Sequence, residues 1–177
     1  TVLFCKKYIP ADSRTRDQMV QAARSGVQNI AEGSIDAATS TKLEMNLYNV
    51  ARASQIELRC DYLDYLRQRE LRVLRSDDPA LLRFRKRRCS TLSEVRAWVG
   101  EERACSVSLR VSPCFRYDEL AANAALSLLN LSLFLLKRQI DAKAQRFLRE
   151  GGFNERLYRM RIKNRDSGND IQTLLRS

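Results

Sequence analysis

The sequence contains no histidine. That one absence excludes Ser-His-Asp and Cys-His nucleophiles, a histidine general base and any metal site built on imidazole. Carboxylate and lysine chemistry stay open. Proline occurs only 3 times and glycine 6 times, so turn signals are scarce and long helices are expected. The five cysteines, Cys5, Cys60, Cys89, Cys105 and Cys114, are an odd number with no Cys-x-x-Cys pair. Neither zinc nor a secreted disulfide framework is expected from them, and a reducing cytoplasm fits. The chain begins at Thr1 rather than Met, which suggests that residues precede it, and no signal peptide is visible in the residues present.

What the chain does have is apolar content and positive charge. Of its 177 residues, 44% are apolar, enough for one core and therefore for one domain with a tail. Lys and Arg outnumber Asp and Glu by 32 to 21, a net +11. Such a surface attracts polyanions, nucleic acid first, and an anionic membrane or an acidic protein after it.

Residues 2–9 read as the end of a helix stopped near Pro10. Ser13 is an expected N-cap for a helix to about Glu32. Its Met19, Ala22, Ala23, Gly26, Val27 and Ile30 share one face, and Gly33 stands where a left-handed C-terminal cap is expected. The small residues on that face let a neighbouring backbone approach. A third helix is expected from Ser40 to about Arg75, roughly 50 Å long. It has one stripe of Leu43, Leu47, Val50, Ser54, Leu58 and Tyr65, and a second of Ile56, Cys60, Leu63, Leu66 and Leu74.

Pro79, at a first helical position, starts a short helix through Arg88. Thr91 or Ser93 caps another short helix containing Val95, Trp98 and Val99. Val107, Leu109 and Val111 alternate with polar residues, which allows a short extended segment. The last long helix is expected from Tyr117 to Arg149. Its residues 120–136 carry no charge, but Asn123, Ser127 and Asn130 form a polar stripe continuing to Lys137 and Asp141. A buried helix, with a subunit interface as well as a core, is expected there rather than a membrane span. Gly151-Gly152 then stops the helix.

Several segments together resemble a known family. They begin with Arg14-Thr-Arg-Asp-Gln-Met-Val-Gln-Ala-Ala-Arg-Ser-Gly-Val-Gln-Asn-Ile-Ala-Glu-Gly33 and Leu47-Tyr-Asn-Val-Ala-Arg-Ala-Ser-Gln-Ile-Glu-Leu58. Ala122-Asn-Ala-Ala-Leu126, Leu135-Leu-Lys-Arg-Gln139 and Phe147-Leu-Arg-Glu-Gly-Gly-Phe-Asn-Glu-Arg156 follow. These segments resemble the four-helix bundle proteins, the last three the suffix-domain subgroup. The family includes proteins encoded in intervening sequences of bacterial 23S ribosomal RNA genes and the accessory variability determinants of diversity-generating retroelements. The likeness covers residues 1–75 and 118–165.

The resemblance implies an all-α protein, an antiparallel up-and-down bundle of four long helices over residues 1–150. Residues 76–117 would be an insertion between the third and fourth long helices, and 151–177 a basic tail. It also implies a homopentamer with a positively charged surface, and for the retroelement members binding to nucleic acid and to a reverse transcriptase.

Arg83, Arg85, Lys86, Arg87 and Arg88 place five positive charges within six residues. Successive helical side chains are about 100° apart, so this run encircles its helix. Phosphates would relieve the self-repulsion and release counterions. The alternatives are a solvated basic surface or an acidic protein partner. Arg156, Arg159, Arg161, Lys163 and Arg165 form a second basic set with Tyr158 interleaved for stacking on a base. The alternative there is a tail helix packed through Leu157, Met160 and Ile162. Arg14, Arg16 and Arg24 add charge near the second helix, against the alternative of pairing with Asp17, Glu32 or carboxylates of the next helix.

Glu57 and Glu32 are expected in salt bridges or caps. A metal is not expected, because di-iron bundle sites need Glu-x-x-His pairs. Cys60 is expected on a core stripe, and Cys89 is placed where the basic run would raise its reactivity. No cofactor is expected, and no acidic cluster suits a nuclease. The leading expectation is a non-enzymatic, oligomeric accessory protein binding RNA or DNA phosphates. The other is a scaffold for a protein partner such as a reverse transcriptase, with nucleic acid incidental.

Overall fold

The structure, a computed structural model, describes residues 1–36, 40–108, 114–151, 155 and 157–164. These are all-α, with no strand among them. The helices are α1 (Val2–Tyr8), α2 (Arg14–Asp36), α3 (Thr41–Gln68), α4 (Pro79–Arg87), α5 (Leu92–Ser108) and α6 (Tyr117–Glu150), and 157–164 is helical in the tail.

The helices α2, α3 and α6 form the frame. Small residues on α2 let it lie close to α3: a Cβ added at Gly26 would meet Gln55 Cγ at 3.3 Å, and one at Gly33 would meet Tyr48 Cε1 at 2.8 Å. The Ser25 and Ser54 hydroxyls meet at 2.9 Å. Numbers rise along α2 as they fall along α3, so the pair is antiparallel. The same holds for α3 and α6, which are tied by Tyr65 to Asp118 at one end and by Glu44 to Lys143 at the other.

Three apolar clusters fill the frame. Around α1, Phe4 packs its ring edge-on against Tyr62 and Tyr65, with Cys5, Met19, Leu58, Leu66, Ala122 and Leu126 beside them. Around α4 and α5, Leu81, Phe84, Trp98 and Val99 close over Leu120 and Ala124 of α6. A smaller cluster at the far end joins Tyr48, Ala51 and Leu136, flanked by Ile30 and Ile140. Burying Phe84 and Trp98, ring centroids 4.7 Å apart, is worth about 1.5–3 kcal/mol for each large apolar side chain.

Several boundaries differ from the sequence reading. The helix over 14–36 passes through Gly33, which has no left-handed φ; its missing Cβ makes room for Tyr48 instead. The third helix stops at Gln68, seven residues before Arg75. Glu70 takes the left-handed conformation (φ 55), and the N–H groups of Leu71 and Glu70 return to the carbonyls of Leu66 and Arg67. Leu71 packs with Leu66 in the same cluster, completing a left-handed C-terminal cap.

Residues 71–75 then run as a non-helical strap across α6. Leu74 lies in this strap rather than on a helix, packed against the α4–α5 cluster. The helix containing Trp98 continues to Ser108, so Val107 is helical, while Leu109 and Val111 lie outside the described residues.

Other helix ends are closed by local bonds. Asp78 accepts the Ala80 N–H at 2.8 Å ahead of Pro79. The Thr91 hydroxyl accepts the Glu94 N–H while the Glu94 carboxylate accepts the Thr91 N–H. Gly151 (φ 74) ends α6, and Gly152 lies outside the described residues.

Two stripes are also corrected. On α3 the buried face is Glu44, Tyr48, Ala51, Ser54 and Leu58; Leu43, Val50, Ile56 and Cys60 are exposed. The far half of α6 opposite this part of α3 offers polar partners: Gln139 donates to the Tyr48 hydroxyl and Lys143 meets Glu44 at 2.7 Å. On α2, Val27 is 69% exposed, because α1 is only seven residues long and covers the frame at one end.

Candidate nucleic-acid and anion interface

The charges fall into two sets, one consumed by the fold and one left at the surface. Consumption is heaviest where the strap crosses α6. Glu119, buried in the first turn of α6, accepts the Arg72 guanidinium at 2.6 and 3.2 Å and the N–H groups of Arg72 and Arg116. Burial alone would raise its pKa, but these bonds outweigh it and hold the carboxyl below the usual glutamate range. Asp118 beside it is likewise held low, because bonds from Arg116 and Tyr65 outweigh burial. Both acids also favour the positive end of the helix dipole.

One turn on, Asn123 is 1% exposed. Its Oδ1 accepts the Leu74 N–H at 2.8 Å and its Nδ2 donates to the Arg72 carbonyl at 2.9 Å. The first residue of the polar stripe thus holds the strap as a neighbouring strand would.

The basic run on α4 is divided. Arg83 forms two 2.6 Å bonds to Glu102, which is almost fully buried, and Arg87 pairs with Glu101 at 2.6 Å. Both guanidiniums are stabilised in the charged form by those bonds. Arg85 reaches back to the Ser76 carbonyl at 2.9 Å and the Ser127 hydroxyl at 3.4 Å. The side chains of Lys86 and Arg88 make no hydrogen bond or ion pair among the described residues and are exposed. Arg88 ends α4 in the left-handed conformation (φ 51).

Arg14, Arg16 and Arg24 also make no ion pair among the described residues, so the alternative of internal pairing is not seen there. Arg14, however, lines a groove of about 790 Å³ between α2 and α3 that also holds Asp17, Glu57 and Asp61. Asp61 is pushed upward by burial and by the charges of Asp64 and Glu57, so this groove disfavours anions. Glu57 and Glu32 are exposed and make no salt bridge among the described residues, which corrects that expectation.

In the tail, Leu157 is half-buried while Met160 and Ile162 are exposed, and Tyr158 and Arg161 are exposed on the same helical segment. Arg159 and Lys163 each interact with other groups, and Arg156 and Arg165 lie outside the described residues. Cys89 packs half-buried against the α4–α5 cluster.

A second kind of surface lies on the far half of α6. Leu128, Leu131, Phe134 and Leu135 are 42–57% exposed and share one side of the helix. The helix α6 is long and apolar enough to cross a membrane, but its near half is enclosed by α1, α3, α4 and α5. Sequence reading missed Glu44, Glu119 and Arg59 as placed residues. Only Glu119, three residues after a helix start, carries a sequence signal, that of an N-terminal capping box.

No family model, no curated protein and no solved structure matches this chain.

Proposed function

We propose that this protein is a non-enzymatic, oligomeric accessory protein that binds RNA or DNA through phosphate contacts. The observation that supports this reading is the division of charge. The buried carboxylates Glu44, Glu102, Asp118 and Glu119 each have a cation of their own, Lys143, Arg83, Arg116 and Arg72. The surplus includes the exposed side chains of Lys86, Arg88 and Arg161 and the half-buried one of Arg16, none of which makes a side-chain hydrogen bond or ion pair among the described residues. Unpaired exposed cations have water as their alternative and gain counterion release by meeting phosphates. Contacts of this type position a strand without reading its sequence.

The frame of α2, α3 and α6 with α1 at one end is, in this reading, the up-and-down four-helix bundle of the resembled family, and α4 and α5 are its insertion. The exposed stripe of Leu128, Leu131, Phe134 and Leu135 is the subunit contact of a homo-oligomer, a pentamer by the resemblance. A reverse transcriptase is the protein partner the resemblance offers. The same stripe favours a second reading, a scaffold that docks a protein partner with nucleic acid incidental.

Titration of fluorescent single- and double-stranded RNA and DNA across a salt series, with mass in solution alongside, tests the first reading. Sub-micromolar binding by an oligomer, falling steeply with salt, is expected. Lys86→Gln with Arg88→Gly, the glycine suiting the left-handed position, should weaken binding and make the log–log salt slope shallower by about 0.9 for each phosphate no longer neutralised. A folded oligomer that binds no nucleic acid at low salt overturns the first reading in favour of the second.

A further inference from the structure

A small cavity of mixed polar and apolar lining lies under the strap, between α3, α4 and α6. Its volume is about 100 Å³, room for roughly three waters at about 30 Å³ each. Two guanidiniums, Arg59 of α3 and Arg85 of α4, line it together with Ser127 and Asn130 of α6, and no carboxylate does. The remaining walls include Leu63, Leu81 and Leu126.

The two arginines differ in how they are held. Arg85 is anchored by the Ser76 carbonyl and the Ser127 hydroxyl. In accepting from Arg85, Ser127 keeps its own proton free to donate. Arg59 has no hydrogen-bond or ion-pair partner among the described residues, and its Nε is buried without an acceptor. A guanidinium brought partly out of water without an acceptor is unfavourable, and a second one on the same cavity adds repulsion. An anion with several oxygens would relieve both, and apolar walls would strengthen its attraction to the cations. The donor types that line it suit tetrahedral oxygens: arginines from two different helices, a hydroxyl, and the amide residue Asn130, which is exposed.

We infer that this cavity is a binding site for a phosphoryl group, held by Arg59 and Arg85 with Ser127 and Asn130. It also accounts for the first three residues of the α6 polar stripe, since Asn123 holds the strap that roofs the site and Ser127 and Asn130 line it. The phosphoryl group comes either from a nucleic-acid backbone or from a small phosphorylated compound.

Inorganic phosphate tests the site apart from the nucleic-acid reading. Thermal unfolding of the full chain is followed against phosphate, with chloride at matched ionic strength as control. A saturable rise in Tm specific to phosphate is expected. Arg59→Gln should raise the half-saturating concentration by about tenfold, the effect of removing one charge-assisted bond. Asn130→Asp, at an exposed position that threatens no packing, places a carboxylate at the rim and should abolish the effect. No difference between phosphate and chloride overturns the inference, as does a full response in folded Asn130→Asp.

The same variants assayed with RNA assign the source. Weakened RNA binding identifies the group as a backbone phosphate. Unchanged RNA binding alongside abolished phosphate binding identifies a small phosphorylated compound. Failure of the unsubstituted protein to bind RNA at all overturns the nucleic-acid reading and leaves the phosphate result standing.

Discussion

The two halves of α6 are built from the same charge-free run, residues 120–136, yet they meet different surroundings. In the near half, Leu120, Ala122, Ala124 and Leu126 are buried between the α1 cluster on one side and the α4–α5 cluster on the other. In the far half only Leu136 is buried, while Leu128, Leu131, Phe134 and Leu135 face outward. Beyond them, the α3–α6 contact depends on Tyr48 with Gln139 and Glu44 with Lys143. Apolar composition therefore marks what can be buried, and the neighbouring elements decide what is buried. The near half has four helices around it and the far half has one side covered.

The sharpest break of this comparison is a matched pair of truncations. Leu120→Ala should cost about 3 kcal/mol in urea unfolding, because a fully buried leucine leaves a cavity. Leu131→Ala should change the stability of the isolated subunit by less than about 0.5 kcal/mol. Equal losses in a monomer would mean that the far half is covered by its own chain. Next in size is Asn123→Ala, which strips the Leu74 N–H and the Arg72 carbonyl of their partner under the strap. About 2 kcal/mol is expected, with faster amide exchange at Leu74.

At the far end, Gly33→Ala pushes a methyl against Tyr48, whose ring is buried and whose hydroxyl is held by Ser34 and Gln139. Overpacking there should cost about 1–2 kcal/mol by chemical unfolding.

The smallest effect is a change of slope with pH. The folded pKa of Glu119 lies below its unfolded value of about 4.3. Its stabilisation is therefore complete above that value and is lost as pH falls towards and through the folded pKa. Glu119→Gln should flatten the acid limb of stability against pH, measured by urea unfolding at a series of pH values.

Much of this architecture is legible in the residues. The Pro79 start, the Thr91–Glu94 cap, the Gly151 stop and the limits of α6 follow from local chemistry that does not depend on distant contacts. The end of α3 was not legible, because its left-handed position is occupied by Glu70, and glutamate carries none of the signal that glycine would. Gly33 misled for the converse reason: it is glycine for the sake of Tyr48 and not for its own φ. Among candidate site residues, the run from Arg83 to Arg88 was visible as charge. Which of its members are spent on Glu101, Glu102 and Ser76 depends on α5 and the strap, distant in sequence from α4. Arg59 gave no signal, since a lone arginine on a helix reads as a solvated residue.

The sequence by itself determined the helical class, most helix starts, the excess of positive charge and the exclusion of histidine chemistry. Each of these rests on composition or on contacts within a few residues. Only the tertiary structure decided which apolar faces are covered, which cations are free, and that Arg59 and Arg85 meet at one cavity. Those outcomes depend on pairings between helices, and an antiparallel frame brings together residues dozens of positions apart that no local pattern relates.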